Sequence, residues 1–248
     1  MGTEMLNYDE LRKCAEAGAD PQAMIQYSAI LLNDHENGSL SKAVDLIERA
    51  NQLYPDNLEI TERYAHLQGI QGYVFKQMDL YDPAYISYTK CINAIDMLKN
   101  RQYNPESVRK LEIESCIEYG EVAIKKRERD VALKMFKRTD VHMYPQAAVL
   151  TASIHYESLE KYAKYIVDDI TILKSVLREN NWKCDAHKAA AYYLLSQFYA
   201  NGVAGVLAPD INYAYECILR CSQIDTYLAE DELKKYSKSL FGKIKYRG

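Results

Sequence analysis

The chain is short of almost everything that marks an enzyme, a metal centre or a membrane protein. It has no HExxH, no GxSxG, no phosphate-binding glycine loop and no dinucleotide fingerprint. Its five histidines (His35, His66, His142, His155 and His187) are scattered, and none stands in an obvious cluster with matched carboxylates. Six cysteines (Cys14, Cys91, Cys116, Cys184, Cys217 and Cys221) occur without a CxxC spacing, so neither a zinc site nor a disulfide framework is expected. Cys217 and Cys221 share a helix face, but no third or fourth ligand lies near them. Most of the thiols fall on apolar helical faces, where they behave as small hydrophobes. That use of cysteine implies a reducing, cytoplasmic setting. No apolar run approaches the roughly 18 residues needed to cross a bilayer. Residues 1–10 lack the basic-then-apolar layout of a signal peptide, and Leu6 stands where a myristoylation motif wants Ser or Thr. There is no Pro- or Ser-rich linker, which favours one continuous domain over residues 1–248. A net charge of -4 gives no overall pull toward nucleic acid or anionic membrane.

What is present is helical. Apolar residues recur at i, i+3 and i+4 along nearly the whole chain, in pairs of segments separated by short turns. The first short helix reads Tyr8 to Ala17 and stops at Gly18. Asp20-Pro21 then caps and opens a helix to about Asn33, carrying Ala23, Tyr27, Ile30 and Leu31 on one face. A polar turn containing Gly38 leads to a partner helix, Leu40 to Leu53, with Ala43, Leu46, Ile47 and Ala50. Tyr54-Pro55-Asp56-Asn57 is a turn. The next helix starts at Leu58 and runs on through Gly69 and Gly72 to about Met78. Two internal glycines cost roughly 1 kcal/mol each against alanine, so either a neighbouring helix packs closely there or the helix kinks. Asp82-Pro83 opens its partner.

The unit from Met24 to Asn57 resembles a tetratricopeptide repeat. Tyr27, Gly38, Ala43, Ile47, Ala50 and Pro55 stand in the family's order over its length of roughly 34 residues. A second unit repeats Tyr64 and Ala65. A third follows Asn104-Pro105, with Gly120, Ala132, Phe136 and a closing Tyr144-Pro145. A fourth pairs Ala147, Ala148, Leu150, Thr151 and Ile154 with a long helix from about Leu159 to Arg178. The fifth, Ala189 to Cys221, resembles the Sel1-like variant of the same superfamily. Leu195, Tyr199, Gly202, Gly205, Val206, Asp210 and Ala214 keep that variant's order, with Asn201-Gly202 as a left-handed cap and Asp210 as the next helix's N-cap.

This resemblance implies an all-α, right-handed superhelical solenoid of antiparallel helix pairs. It would hold about five repeats (residues 22–57, 58–102, 105–145, 146–180 and 185–223), with a capping helix over residues 225–244. In that capping helix Leu228, Leu233, Tyr236, Leu240 and Ile244 form the apolar side. The resemblance further implies that the first helix of each pair lines a concave groove. Transferring that geometry selects Ser28, Leu32, Glu62, His66, Glu114, Ile117, Glu121, Tyr193 and Gln197. Their mix is acidic at the centre, which suits a ligand segment with basic and apolar residues. It lacks the basic and amide clamp with which some members hold a C-terminal carboxylate.

The implied role is a non-catalytic protein-interaction scaffold or adaptor, without a cofactor, whose ligand is a protein or peptide segment. Two alternatives stay open. Seven basic residues between Lys125 and Arg138 could form a nucleic-acid patch, or simply a solvated turn between helices. The chain could also be a regulatory segment of a larger or homo-oligomeric assembly. Asp168-Asp169 reads as a solvated helix face, since adjacent residues point about 100° apart. Tyrosine is abundant, 22 residues against 4 Phe and 1 Trp, and most of these tyrosines are expected to pack between helices.

Overall fold

A computed structural model describes residues 7–34, 38–179, 181–239 and 243–247. Among the described residues the architecture is all-α apart from one pair of short antiparallel strands. The chain divides into two compact units, residues 1–131 and 132–248.

The first unit comprises α1 (Tyr8–Ala17), α2 (Pro21–Asn33), α3 (Ser39–Leu53), α4 (Leu58–Gln77), α5 (Tyr81–Asn100) and α6 (Glu106–Lys125). The ends follow the sequence closely. Asn7 and Glu10 exchange bonds in a capping box, and Gly18 terminates α1 in the left-handed conformation (φ 70°, ψ 23°). Asp20 accepts from the Gln22 N–H at 2.9 Å, and Pro21 occupies the first turn of α2. Asn57 caps α4 through the Ile60 N–H.

Each helix packs on the next, and α4 also touches α2 on one side and α6 on the other. One core joins Leu11 and Ala15 to Met24, Tyr27, Ile47 and Ile60. Ion pairs and hydrogen bonds tie non-neighbouring turns together: Arg49 donates to the Glu16 carbonyl, Tyr54 to the Gly18 carbonyl, and Arg101 to Pro55 and Asp56.

Helix α4 is continuous through both glycines. A Cβ on Gly72 would lie 3.0 Å from three ring carbons of Tyr88 on α5. One on Gly69 would lie 3.3 Å from Leu111 and Ser115 of α6. The glycines therefore let two neighbouring helices approach α4, which offsets their helix-propensity cost.

Helices α4, α5 and α6 share one ending that the sequence conceals. Asp79, Gln102 and Arg127 each take a positive φ (58°, 59° and 64°). The following N–H then returns to the carbonyl five residues back: Leu80 to Phe75, Tyr103 to Leu98, and Glu128 to Ala123. These are Schellman closures built on non-glycine residues. The division between the units falls within α7 (Arg129–Phe136).

The second unit continues with α8 (Pro145–Glu157), α9 (Leu159–Tyr162), a 3₁₀ turn (Ala163–Tyr165), α10 (Ile166–Glu179), α11 (Asp185–Asn201), α12 (Ile211–Ile224) and α13 (Thr226–Leu233). It closes with β1 (Tyr236–Lys238) paired antiparallel to β2 (Ile244–Tyr246). Helices α8, α10 and α11 enclose Val149, Ala152, Ile166, Leu173, Leu195 and Phe198, and α12 packs along α11.

Three expectations change here. The helix read from Leu159 to Arg178 is interrupted by the 3₁₀ turn, which brings the Tyr162 and Tyr165 rings onto His155. Gly202 has a positive φ, but its ψ of -176° is extended and not the predicted left-handed cap. It opens a tight loop in which Val203 and Leu207 exchange backbone bonds at 2.8 Å.

The capping helix over residues 225–244 is the third. It ends at Leu233, and Tyr236–Lys238 and Ile244–Tyr246 pair as two short antiparallel strands. Tyr236 and Ile244, which also fit an i, i+8 helical step, lie instead on the two strands. Tyr236 packs against Tyr215 and Tyr246. Leu240 lies outside the described residues. No helix among the described residues is long and apolar enough to cross a membrane.

Candidate functional site

The free face of α4 gathers most of what the sequence singled out in the first unit. Steps of three and four residues along α4 place Glu59, Glu62, His66, Ile70, Tyr73, Val74 and Gln77 on one side. The opposite side buries Ile60, Ala65, Gln68 and Gly72.

At the N-terminal end the face is acidic. Glu59 accepts from the Gln22 side chain. Glu62 accepts from the Tyr103 hydroxyl at 2.6 Å and from Ser107 at 2.5 Å. That bond to Glu62, with partial burial, pushes the Tyr103 hydroxyl up to about 12. His66 is half-buried among Glu62, Arg63 and Glu114, and burial lowers its pKa below the ordinary histidine value despite the two carboxylates. Glu114 is exposed on α6, with Lys110 only at 3.9 Å.

At the C-terminal end the face is apolar. Ile70, Tyr73 and Val74 are 40%, 50% and 37% exposed, a row of three on one helix stripe. The sequence reading passed over them, although their spacing from His66 (i+4, i+7, i+8) carries the signal. Beside them Lys76 bridges to Glu118 at 2.6 Å and to Glu121. Burial opposes its charge, the two carboxylates outweigh that, and the Lys76 pKa ends above the usual lysine value.

Several predicted positions do not face solvent. Ser28 is fully buried, donating to the Ile25 carbonyl at 2.7 Å and accepting from Arg63 at 3.0 Å. Leu32 packs against the α1–α4 core. Ile117 is 3% exposed. In the second unit Gln197 is buried and accepts from Tyr156, while Tyr193 packs beside Ala189, Ala214 and Cys221. Ser28, Ile117 and Gln197 are given over to helix packing, and Leu32 and Tyr193 only in part. Glu121 is held by Lys76 and is not a free acid. Of the predicted set, Glu114 is exposed and Leu32, Glu62, His66, Glu121 and Tyr193 are partly exposed.

The basic segment is also partly engaged. Lys126 pairs with Asp82 and lies 5.4 Å from the Tyr85 ring centroid. Arg127 supplies the left-handed turn that ends α6.

The second unit holds a pair the sequence did not reveal. His155 Nδ1 and Asp169 Oδ2 are 2.8 Å apart, and both side chains are under a tenth exposed. Asp169 is therefore not the solvated carboxylate expected. The His155 ring stacks on Tyr165 at 5.2 Å and tilts against Tyr162 at 4.7 Å. Chemically this is an oriented imidazole, held by a carboxylate and flanked by two rings. Among the described residues no group of three or more His, Cys, Asp and Glu could hold a metal ion.

No family model matches the chain, and no curated protein resembles it in sequence.

Proposed function

We propose that the chain is a non-catalytic protein-interaction module whose partner segment docks along the free face of α4. The observation that carries this reading is the exposed row Ile70, Tyr73 and Val74, continued by the acidic and histidine groups of the same stripe. An apolar centre with a polar edge is the usual anatomy of a protein-binding surface. Covering the exposed halves of the three apolar side chains contributes roughly 1 kcal/mol each before the cost of association.

The charge order sets the ligand's character. Apolar side chains meet the C-terminal half of α4, and basic ones meet Glu59, Glu62 and Glu114. The repeat resemblance supports the same surface, because first helices line the ligand groove in tetratricopeptide proteins. Helices held rigidly by their neighbours limit what is lost on ordering the partner.

The test is capture of partners by the intact chain and by an Ile70→Asp, Val74→Asp variant. Ile70 and Val74 are 40% and 37% exposed, and helical circular dichroism of the variant checks that it is folded before capture. A partner held by the first and lost by the second supports docking on α4. A partner held equally by both contradicts it.

A further inference from the structure

A cavity of about 310 Å³ in the second unit is lined by Lys174, Leu177, Arg178, Tyr192, Tyr213 and Arg220. Three helices build it. Lys174, Leu177 and Arg178 stand at i, i+3 and i+4 on α10 and so share one face. Tyr192 comes from α11, and Tyr213 and Arg220, seven residues apart, come from α12. The lining holds three cations and no carboxylate.

Two of the cations, Lys174 and Arg220, lie against aromatic rings. The Lys174 ammonium lies 4.8 Å from the Tyr199 ring centroid and 4.6 Å from that of Tyr213, and it donates to the Tyr199 hydroxyl at 2.8 Å. The Arg220 guanidinium lies 5.9 Å from the Tyr192 ring. Arg178 donates its Nε–H to the Lys174 carbonyl at 3.2 Å, which leaves the rest of its guanidinium fork for a ligand. Arg220 pairs with Glu216, outside the lining, at 3.5 Å, and that carboxylate is itself more than half exposed. Cation–ring contacts hold these positive groups together but do not cancel their charge. An anion would.

We infer that this cavity binds a phosphate monoester of an aromatic alcohol or nucleoside, the phosphate among Lys174, Arg178 and Arg220 and the ring against Tyr192, Tyr213 and Leu177. Two guanidinium forks and an ammonium suit a dianionic group with three peripheral oxygens. The volume lies at the lower end of small-ligand pockets, more than a bare phosphate fills, and the added space is apolar and aromatic. This site is independent of the α4 surface and stands or falls without it.

Calorimetry of the full chain at low salt tests it with four probes: inorganic phosphate, phenyl phosphate, O-phosphotyrosine and adenosine monophosphate. Phenyl phosphate should bind one to one and at least about tenfold more tightly than inorganic phosphate. Whichever of O-phosphotyrosine and adenosine monophosphate binds more tightly identifies the source of the ester. Arg178→Gln and Arg220→Gln, both at exposed positions that spare the core, should each weaken binding about tenfold or more. Absence of one-to-one binding by every ester overturns the proposal. So does equal affinity for inorganic phosphate and the esters, or affinity unchanged in both variants.

Discussion

Gly72 tests how closely α5 is seated on α4. In an open helix, Gly→Ala stabilises by about 1 kcal/mol. Here the new Cβ would meet Tyr88 at 3.0 Å along one ring edge, and Tyr88 is 1% exposed and stacked on Tyr119. The ring has no free space to enter, so the added methyl overpacks the core at a cost of about 1–3 kcal/mol. The net expectation for Gly72→Ala is a loss of about 1 kcal/mol.

The double-mutant cycle sharpens this. With Tyr88→Ala in the background the obstructing ring is gone, and the same Gly72→Ala change should stabilise by about 1 kcal/mol. Urea midpoints followed by circular dichroism at 222 nm read both legs. A reversal of sign between the backgrounds supports the packing argument. Stabilisation of the otherwise unaltered chain by Gly72→Ala would show that Tyr88 yields freely, and would refute it.

Other consequences follow from the same geometry. Gly202→Ala should destabilise strongly, by about 1–3 kcal/mol from backbone strain alone. Its Cβ would also lie 2.8 Å from the Leu207 carbonyl oxygen, so thermal unfolding of the variant should begin well below that of the parent. Thiol labelling of the native chain should reach exposed Cys184 first and spare Cys91, whose pKa burial pushes up to about 12, and Cys217 and Cys221, held at about 11. Rapid labelling of Cys91 without unfolding would contradict the packing described. His66, its folded pKa lowered by burial, binds a proton less readily than in the unfolded chain. Its contribution to stability is therefore complete above the ordinary histidine range and is lost as pH falls below about 6.5. A His66→Gln variant should show a flatter stability profile across pH 5–7, with the direct NMR titration of His66 displaced downward.

The parts of this fold that sequence made legible are those where one residue type serves one local need. Asp20 before Pro21 and Asp210 before α12 each cap a helix through their own side chains. Gly18 supplies the one left-handed residue α1 requires. The uninterrupted α4 was legible as one of two options, and the positions of Tyr88, Leu111 and Ser115 decide between them.

What stayed hidden depends on contacts distant along the chain. Asp79, Gln102 and Arg127 adopt a conformation usually reserved for glycine, so nothing in their identity announces the turn. Tyr236 and Ile244 fit a helical step as well as two paired strands, and the choice is made by packing on Tyr215 and Tyr246. Asp169 meets His155 across fourteen residues, a separation no single-helix spacing predicts. Ser28, Ile117 and Gln197 were placed on a ligand face by analogy with a repeat, and packing against neighbouring side chains buries all three. The cavity formed by α10, α11 and α12 shows up in sequence only as separate tyrosines and basic residues; three helices must meet before they become one site.

The central claim, that a partner lies along the free face of α4, is tested most directly by photo-crosslinking. A benzophenone amino acid in place of half-exposed Tyr73 would be irradiated in native extract, with a second chain carrying the group at Tyr227, 92% exposed on α13, as control. The account predicts a crosslinked segment at position 73 that carries apolar residues beside basic ones and is absent from the control. Failure of position 73 to crosslink anything that position 227 does not would contradict it.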